Sequence, residues 1–112
     1  MNPLNYASLE ASKRLVEAGI VLETEAHHIK YRTEWELKPR HSFDAVYGIP
    51  APSMSEVWRE LPLFSTMDIS IDGLSRCWTK NSPTFSDTNP TDALIDLIIW
   101  LKKEAADERA NR

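Results

Sequence analysis

The segment NPTDALIDLIIWLKK (residues 89–103) contains a complete helix start followed by a nearly continuous apolar run. Asn89 is a favourable N-cap, Pro90 suits the first helical position, and Asp92 brings a carboxylate to the positive end of the helix. At about 100° per residue, the apolar side chains that follow cover more than one side of the helix. Such a helix needs cover from several directions. It is therefore either central in a small fold or shared with a partner.

The main apolar stripe of this predicted helix has two apolar flanks. The stripe consists of Leu94, Leu97, Ile98 and Leu101. Ile95 and Ile99 lie on one side of it and Trp100 lies on the other. Burying both flanks within one subunit is demanding, so we predict that these three residues contact a partner. A two-fold contact with a second copy is the simplest arrangement, because one patch then covers itself. The alternative is a monomer in which residues 38–43 wrap over one flank.

The composition describes a small acidic domain. The chain has 112 residues, of which 42% are hydrophobic and 27% charged, and its net charge is −4. This balance disfavours binding to nucleic acid or anionic membranes, both of which attract clustered positive charge. The longest apolar run is about half of what a bilayer span requires, and the first ten residues do not resemble a signal peptide. We expect one cytoplasmic domain, residues 1–112, with residues 104–112 as a frayed tail.

Two shorter helices have start signals of their own. The first begins after the N-cap Ser8 and ends at Gly19, which can adopt the left-handed conformation. In the second, Ser53 and Glu56 have the spacing of a capping box, and an apolar stripe that includes Trp58 follows. We expect Trp58 to be a core anchor. A solvent-exposed Trp58 would instead be a binding residue.

Between the helices the apolar pattern changes to a period of two. Residues 28–37 are apolar or β-branched at odd positions and polar at even positions, which is typical of a strand or hairpin with one wet face. Residues 44–49 and 84–86 are further candidate short strands. The element order is then a helix, two or three strands, a helix, two or three strands and a helix, and it favours antiparallel pairing with the helices on one face.

A second hairpin is predicted around Asp72-Gly73, a strong turn signal flanked by residues 67–71 and 74–80. A two-residue turn there would place Met67 opposite Trp78, on one side of the sheet. The predicted fold class is therefore α+β. It has one antiparallel sheet of about four to five strands and three helices mainly on one face, in the order α-β-β-α-β-β-α.

Residues that could support metal binding or nucleophilic catalysis are few. The soft metal ligands are His27, His28, His41 and Cys77. Adjacent histidines on a strand point to opposite faces, so His27 and His28 are poorly placed to bind one ion. The three glycines suit turns or helix ends, which leaves no nucleophile elbow and no phosphate-binding loop. We predict no metal, no cofactor and no catalytic residue; an unrecognised enzyme ranks third among the alternatives.

Aromatic and basic residues meet around the first predicted strand pair. Trp35 is accompanied there by Lys30, Arg32, Lys38, Arg40 and His41. Glu34 and Glu36 interleave with these residues, so a solvated face of mixed charge is the favoured interpretation. The alternative function is a nucleic-acid accessory protein that uses this strand pair as a stacking platform.

Three segments, SLEASKRLVEAGI (8–20), PAPSMSEVWRELP (50–62) and TNPTDALIDLIIWLKKE (88–104), resemble a group of small uncharacterised proteins encoded by bacteriophages and prophages. The resemblance implies a phage-derived origin and a location in the host cytoplasm. It implies no catalytic residues. We therefore predict a small non-enzymatic interaction protein that binds itself or a host or phage protein.

Overall fold

The fold of the chain is α+β, as predicted. The structure, a computed structural model, describes residues 5–39, 48–62, 65–70 and 72–110. Within these ranges the chain forms three helices and six strands. In chain order they are α1 (Leu9–Glu17), β1 (Ala26–Tyr31), β2 (Glu34–Pro39), β3 (Gly48–Pro50), α2 (Met54–Arg59), β4 (Thr66–Ile69), β5 (Ser75–Trp78), β6 (Phe85–Asp87) and α3 (Pro90–Ala110).

The strands form two three-stranded antiparallel sheets, where the sequence predicts one sheet of four to five strands. The first sheet has the order β2-β1-β3 and the second has the order β4-β5-β6. The third strand of each sheet, β3 or β6, is 3 residues long and overlaps one of the candidate short strands, 44–49 or 84–86. Residues 44–47 of the first candidate lie outside the described residues. The predicted order α-β-β-α-β-β-α counts only two strands between successive helices and is therefore one strand short in each sheet.

The hairpin of β1 and β2 does not have the single wet face that its sequence predicts. Its strands are joined by a two-residue turn in which Arg32 has a φ of 60°. Ile29 is paired with Glu36, and Lys30 is paired with Trp35. Because paired residues share a face, the odd-numbered apolar residues of β1 and of β2 lie on opposite faces.

The hairpin of β4 and β5 forms around Asp72-Gly73 as predicted, but its register differs by one residue. Met67 is paired with Cys77, and Trp78 is paired with Thr66. Met67 and Trp78 therefore lie on opposite faces of the sheet, and the prediction that they share a face is wrong.

The connection between β4 and β5 explains this shift. The Ser70 amide donates to the Leu74 carbonyl (2.9 Å), and the Gly73 amide donates to the Ser70 carbonyl (3.0 Å). Gly73 has a φ of 83°. This is a three-residue loop with a left-handed glycine at its end, a common hairpin connection that is one residue longer than the predicted turn.

Helix α3 is the centre of the core. The Asn89 side-chain oxygen accepts from the amides of Thr91 (2.9 Å) and Asp92 (3.3 Å), so the predicted N-cap is confirmed. Helix α3 packs against α1, α2, β5 and β6. Its buried apolar residues are Ala93, Leu94, Ile95, Leu97 and Ile98. The helix continues to Ala110, and residues 102–108 are exposed.

Helix α1 has the predicted start and end. The Ser8 side chain accepts from the Ala11 amide, and the Ile20 amide donates to the Leu15 carbonyl beyond the left-handed Gly19. The Ser8 backbone amide also donates to the carboxylate of Asp92, over 2.8 Å. This bond joins the first turns of α1 and α3.

Candidate functional site

A groove of about 790 Å³ lies beside α2, and we call it the Trp58 groove. Its walls come from the segment before α1, the residue before β1, α2 with its N-cap, and β4. The lining residues are Asn5, Tyr6, Glu25, Ser53, Met54, Ser55, Trp58 and Met67. The groove therefore combines two aromatic rings and two methionines with polar side chains.

Trp58 is 42% exposed, and the prediction that it is a core anchor is wrong. The preceding residue, Val57, is completely buried and takes that place in α2. Met54 lies one helical turn before Trp58, on the same face of the helix, and also lines the groove. Trp58 is thus a partly exposed residue in the wall of the groove.

The wall formed by the segment before α1 is held by backbone hydrogen bonds. Tyr6 forms a β-bridge with Ser53, and the Ala7 amide donates to the Pro52 carbonyl (2.9 Å). The ring nitrogen Nε2 of His28 donates to the Ala7 carbonyl over 2.8 Å. This segment is therefore fixed against the N-terminus of α2 and against β1.

Glu56 connects α2 to the chain just before β1. It forms the predicted capping box: the Ser53 side chain accepts from the Glu56 amide, and Glu56 Oε1 accepts from the Ser53 amide (2.7 Å). Its second oxygen, Oε2, accepts from the backbone amide of Glu25 (3.1 Å). The sequence indicates the cap but gives no signal for this second bond, because its partner is 31 residues away. The bond positions Glu25 at the edge of the groove.

The predicted partner-contact residues on α3 lie outside the Trp58 groove. Ile95 is completely buried within the subunit, so it is inaccessible to a partner and that part of the prediction is wrong. The physical reason is that α1, α2 and the second sheet already cover this helix. Ile99 and Trp100 are partly buried. A smaller cavity of about 250 Å³ lies near Ile98 and Leu101, at the end of α1.

The described candidates for metal binding and nucleophilic catalysis lie in different sheets, with His27 and His28 in β1 and Cys77 in β5. Cys77 is buried, and its thiol donates to the Ala93 carbonyl (3.1 Å). Burial first, and then the charge of Asp96, raise the pKa of Cys77 to about 12, which makes it a poor nucleophile. His27 and His28 are adjacent in β1 and point to opposite faces, and His41 lies outside the described residues. In the described part of the chain, no group of three or more His, Cys, Asp or Glu could hold a metal ion.

The aromatic and basic strand pair is a mixed-charge surface. The Lys13 ammonium lies 5.3 Å from the centre of the Trp35 ring. Lys38 forms an ion pair with Glu36 at 3.2 Å. The Lys38 ammonium is thus paired within the strand, and the Lys13 ammonium of α1 already lies over the Trp35 ring that would stack on a base.

Comparison of the chain with models of known protein families, with curated proteins and with solved structures finds no match. The resemblance of residues 8–20, 50–62 and 88–104 to phage and prophage proteins therefore stays a prediction. Among the described residues, no helix has the length and apolar character needed to cross a membrane.

Proposed function

We propose that this chain is a non-enzymatic protein-interaction module that binds a partner protein through the Trp58 groove. The observation that carries the proposal is the 42% exposure of Trp58 within a concave surface that also includes Tyr6, Met54 and Met67. Single exposed apolar residues are common on protein surfaces. Four large apolar side chains from three separate segments line this one groove, and a concave surface with such a lining is typical of a binding site.

The chemistry of the groove supports protein binding in two ways. Tryptophan and tyrosine are enriched among the residues that contribute most to protein–protein affinity, and they do so best in central pockets surrounded by polar residues. Asn5, Ser53 and Ser55 provide polar groups in the same lining. Because hydrogen bonds fix the segment before α1 and the N-terminus of α2, the groove is preorganised, which reduces the entropy cost of binding.

Affinity capture followed by titration tests the proposal. Proteins are captured from a lysate of the source cells with the intact chain and with Trp58→Ala, and each captured protein is purified and titrated calorimetrically. We expect Trp58→Ala to weaken the affinity for the partner by about tenfold or more. Val16→Ala is the matched control, because Val16 is a 54% exposed apolar residue outside the groove. A partner that binds Trp58→Ala as tightly as the intact chain would contradict the proposal.

A further inference from the structure

We propose that the segment bound in the Trp58 groove is a short peptide that carries a lysine or arginine next to an apolar side chain. Its cation faces the Glu25 carboxylate, and its apolar side chain packs on Trp58. This inference rests on the proposed protein-binding function and adds the chemistry of the bound segment.

The charge of the groove favours a cationic segment. Among its described lining residues, Glu25 is the single charged side chain, and none is Lys, Arg or His. The three ion pairs found among the described residues are Arg14 with Asp96, Lys38 with Glu36, and Arg76 with Asp72. None of them involves Glu25, so its exposed carboxylate can accept a cation from a ligand.

The two aromatic rings reinforce this preference. The face of a tryptophan or tyrosine ring attracts ammonium and guanidinium groups, and both Trp58 and Tyr6 line the groove with Glu25. An anionic ligand would meet one carboxylate, no compensating cation among the described lining residues, and a chain with a net charge of −4. Charge complementarity therefore selects a basic ligand over an acidic one.

Glu56 does not compete for the ligand cation. Both of its carboxylate oxygens already accept backbone hydrogen bonds, from the amides of Ser53 and Glu25. Glu56 is a positioning residue in this arrangement, because it holds the backbone from which the Glu25 side chain extends.

The size and lining of the groove favour a peptide of a few residues. Its volume of about 790 Å³ falls in the range of pockets that enclose drug-sized ligands, and a few amino-acid residues have comparable size. Asn5, Ser53 and Ser55 bring amide and hydroxyl groups that can hydrogen-bond a peptide backbone. The apolar and polar groups of the lining therefore match a peptide's side chain and main chain respectively.

A displayed library of random 12-residue peptides, selected on the intact chain and counter-selected on Trp58→Ala, tests the inference. We expect the Trp58-dependent peptides to share a lysine or arginine beside an aliphatic or aromatic residue. For a synthetic copy of such a peptide, Glu25→Gln should weaken the calorimetric affinity about fivefold or more. Glu23→Gln is the matched control, because Glu23 is an exposed glutamate outside the groove lining, and it should leave the affinity unchanged.

Ser55→Lys gives an independent variant. Ser55 is exposed and lines the groove, so a lysine there should repel the basic peptide without disturbing the core. Trp58-dependent peptides that are neutral or acidic, or that ignore Glu25→Gln, would overturn this inference and leave the proposed function intact. A selection in which no peptide depends on Trp58 would overturn both.

Discussion

Val57 and Trp58 are neighbours in α2 with opposite environments. Val57 is completely buried, whereas Trp58 is 42% exposed. The sequence correctly predicts the helix and its capping box, because both depend on residues close together in the chain. The sequence does not reveal which apolar residue of α2 faces the core. A helix of 6 residues has too few turns to define one apolar face, and the side that becomes buried depends on segments distant in sequence.

This contrast predicts different stability effects for the two residues. Trp58→Ala should lower the free energy of unfolding by less than about 1 kcal/mol, because an exposed side chain leaves little cavity behind. Val57→Ala should cost about 2 kcal/mol, because it removes buried methyl groups from a packed core. Urea denaturation measures both. A loss of about 3 kcal/mol or more for Trp58→Ala would mean that the side chain is a core anchor after all.

Glu56 has a larger structural role than a helix cap alone. Replacing it with glutamine leaves a single acceptor oxygen for the amides of Ser53 and Glu25. Glu56→Gln should therefore lower the free energy of unfolding by about 1–2 kcal/mol. Glu60→Gln is the control, since Glu60 is exposed at the other end of α2. Equal denaturation midpoints for the two variants would disprove the linking role.

Asp96 makes the stability of the chain depend on pH. Burial raises the pKa of Asp96 above its ordinary value of 3.8, against the opposing effect of the Arg14 guanidinium 3.1 Å away; Asp87 and Asp92 raise it further. Because the folded chain holds this proton more tightly than the unfolded chain does, ionisation of Asp96 destabilises the fold as pH rises.

Asp96→Asn should therefore melt at a higher temperature than the intact chain near pH 7. The difference should shrink as pH falls from the raised pKa of folded Asp96 towards 3.8, and it should vanish below 3.8, where the aspartate is protonated in both states. Thermal melts across this pH range measure the effect. A lower melting temperature for Asp96→Asn near pH 7 would show that the ion pair with Arg14 dominates instead.

At the scale of secondary structure, the sequence predicts the hairpins better than their registers. The Asp72-Gly73 signal correctly marks the turn, yet the loop has three residues, and Met67 and Trp78 fall on opposite faces. In the first hairpin, apolar and polar residues alternate without a break from residue 28 to residue 37. The turn between β1 and β2 lies inside this range, so the pattern gives no sign of it. Adding or removing one loop residue changes the face of every side chain beyond it without altering the pattern inside either strand.

The left-handed Gly73 gives the second hairpin a sensitive position. An added Cβ would meet no atom within 4 Å, so a substitution there acts through the backbone conformation alone. Gly73→Ala should cost about 1 kcal/mol, and Gly73→Asn should cost less, because asparagine tolerates a positive φ. Chemical denaturation of both variants is the test. An unchanged stability for Gly73→Ala would be inconsistent with the φ of 83°.

At the scale of the whole molecule, α3 is central. The sequence predicts that this helix is either central in a small fold or shared with a partner, and the structure agrees with the first alternative. The second sheet, together with α1 and α2, covers the helix within one subunit. A prediction of one sheet could not anticipate that a second sheet packs on α3. Because this packing covers α3 within the subunit, the main reason to expect a two-fold contact through α3 no longer holds. Self-association through Ile99 and Trp100 stays a prediction. A concentration-independent 12.8 kDa species in sedimentation would contradict it.

The Trp58 groove is itself a property of the whole molecule. Its lining comes from four segments that are distant in sequence, near residues 5–6, 25, 53–58 and 67. No local pattern brings these segments together, so composition and periodicity could indicate only that the chain has many aromatic residues. The hydrogen bond between Glu56 and Glu25 and the bridge between Tyr6 and Ser53 hold three of these four segments together.

The chain contains 3 methionines, and two of them, Met54 and Met67, line the groove from different elements. NMR spectra of the chain labelled with ¹³C at the methionine methyl groups therefore report directly on this surface during titration with the purified partner or a selected peptide. We predict that the Met54 and Met67 methyl signals shift together and saturate with the same affinity that calorimetry measures. Binding that saturates while both signals stay unchanged would contradict the assignment of the Trp58 groove as the functional surface.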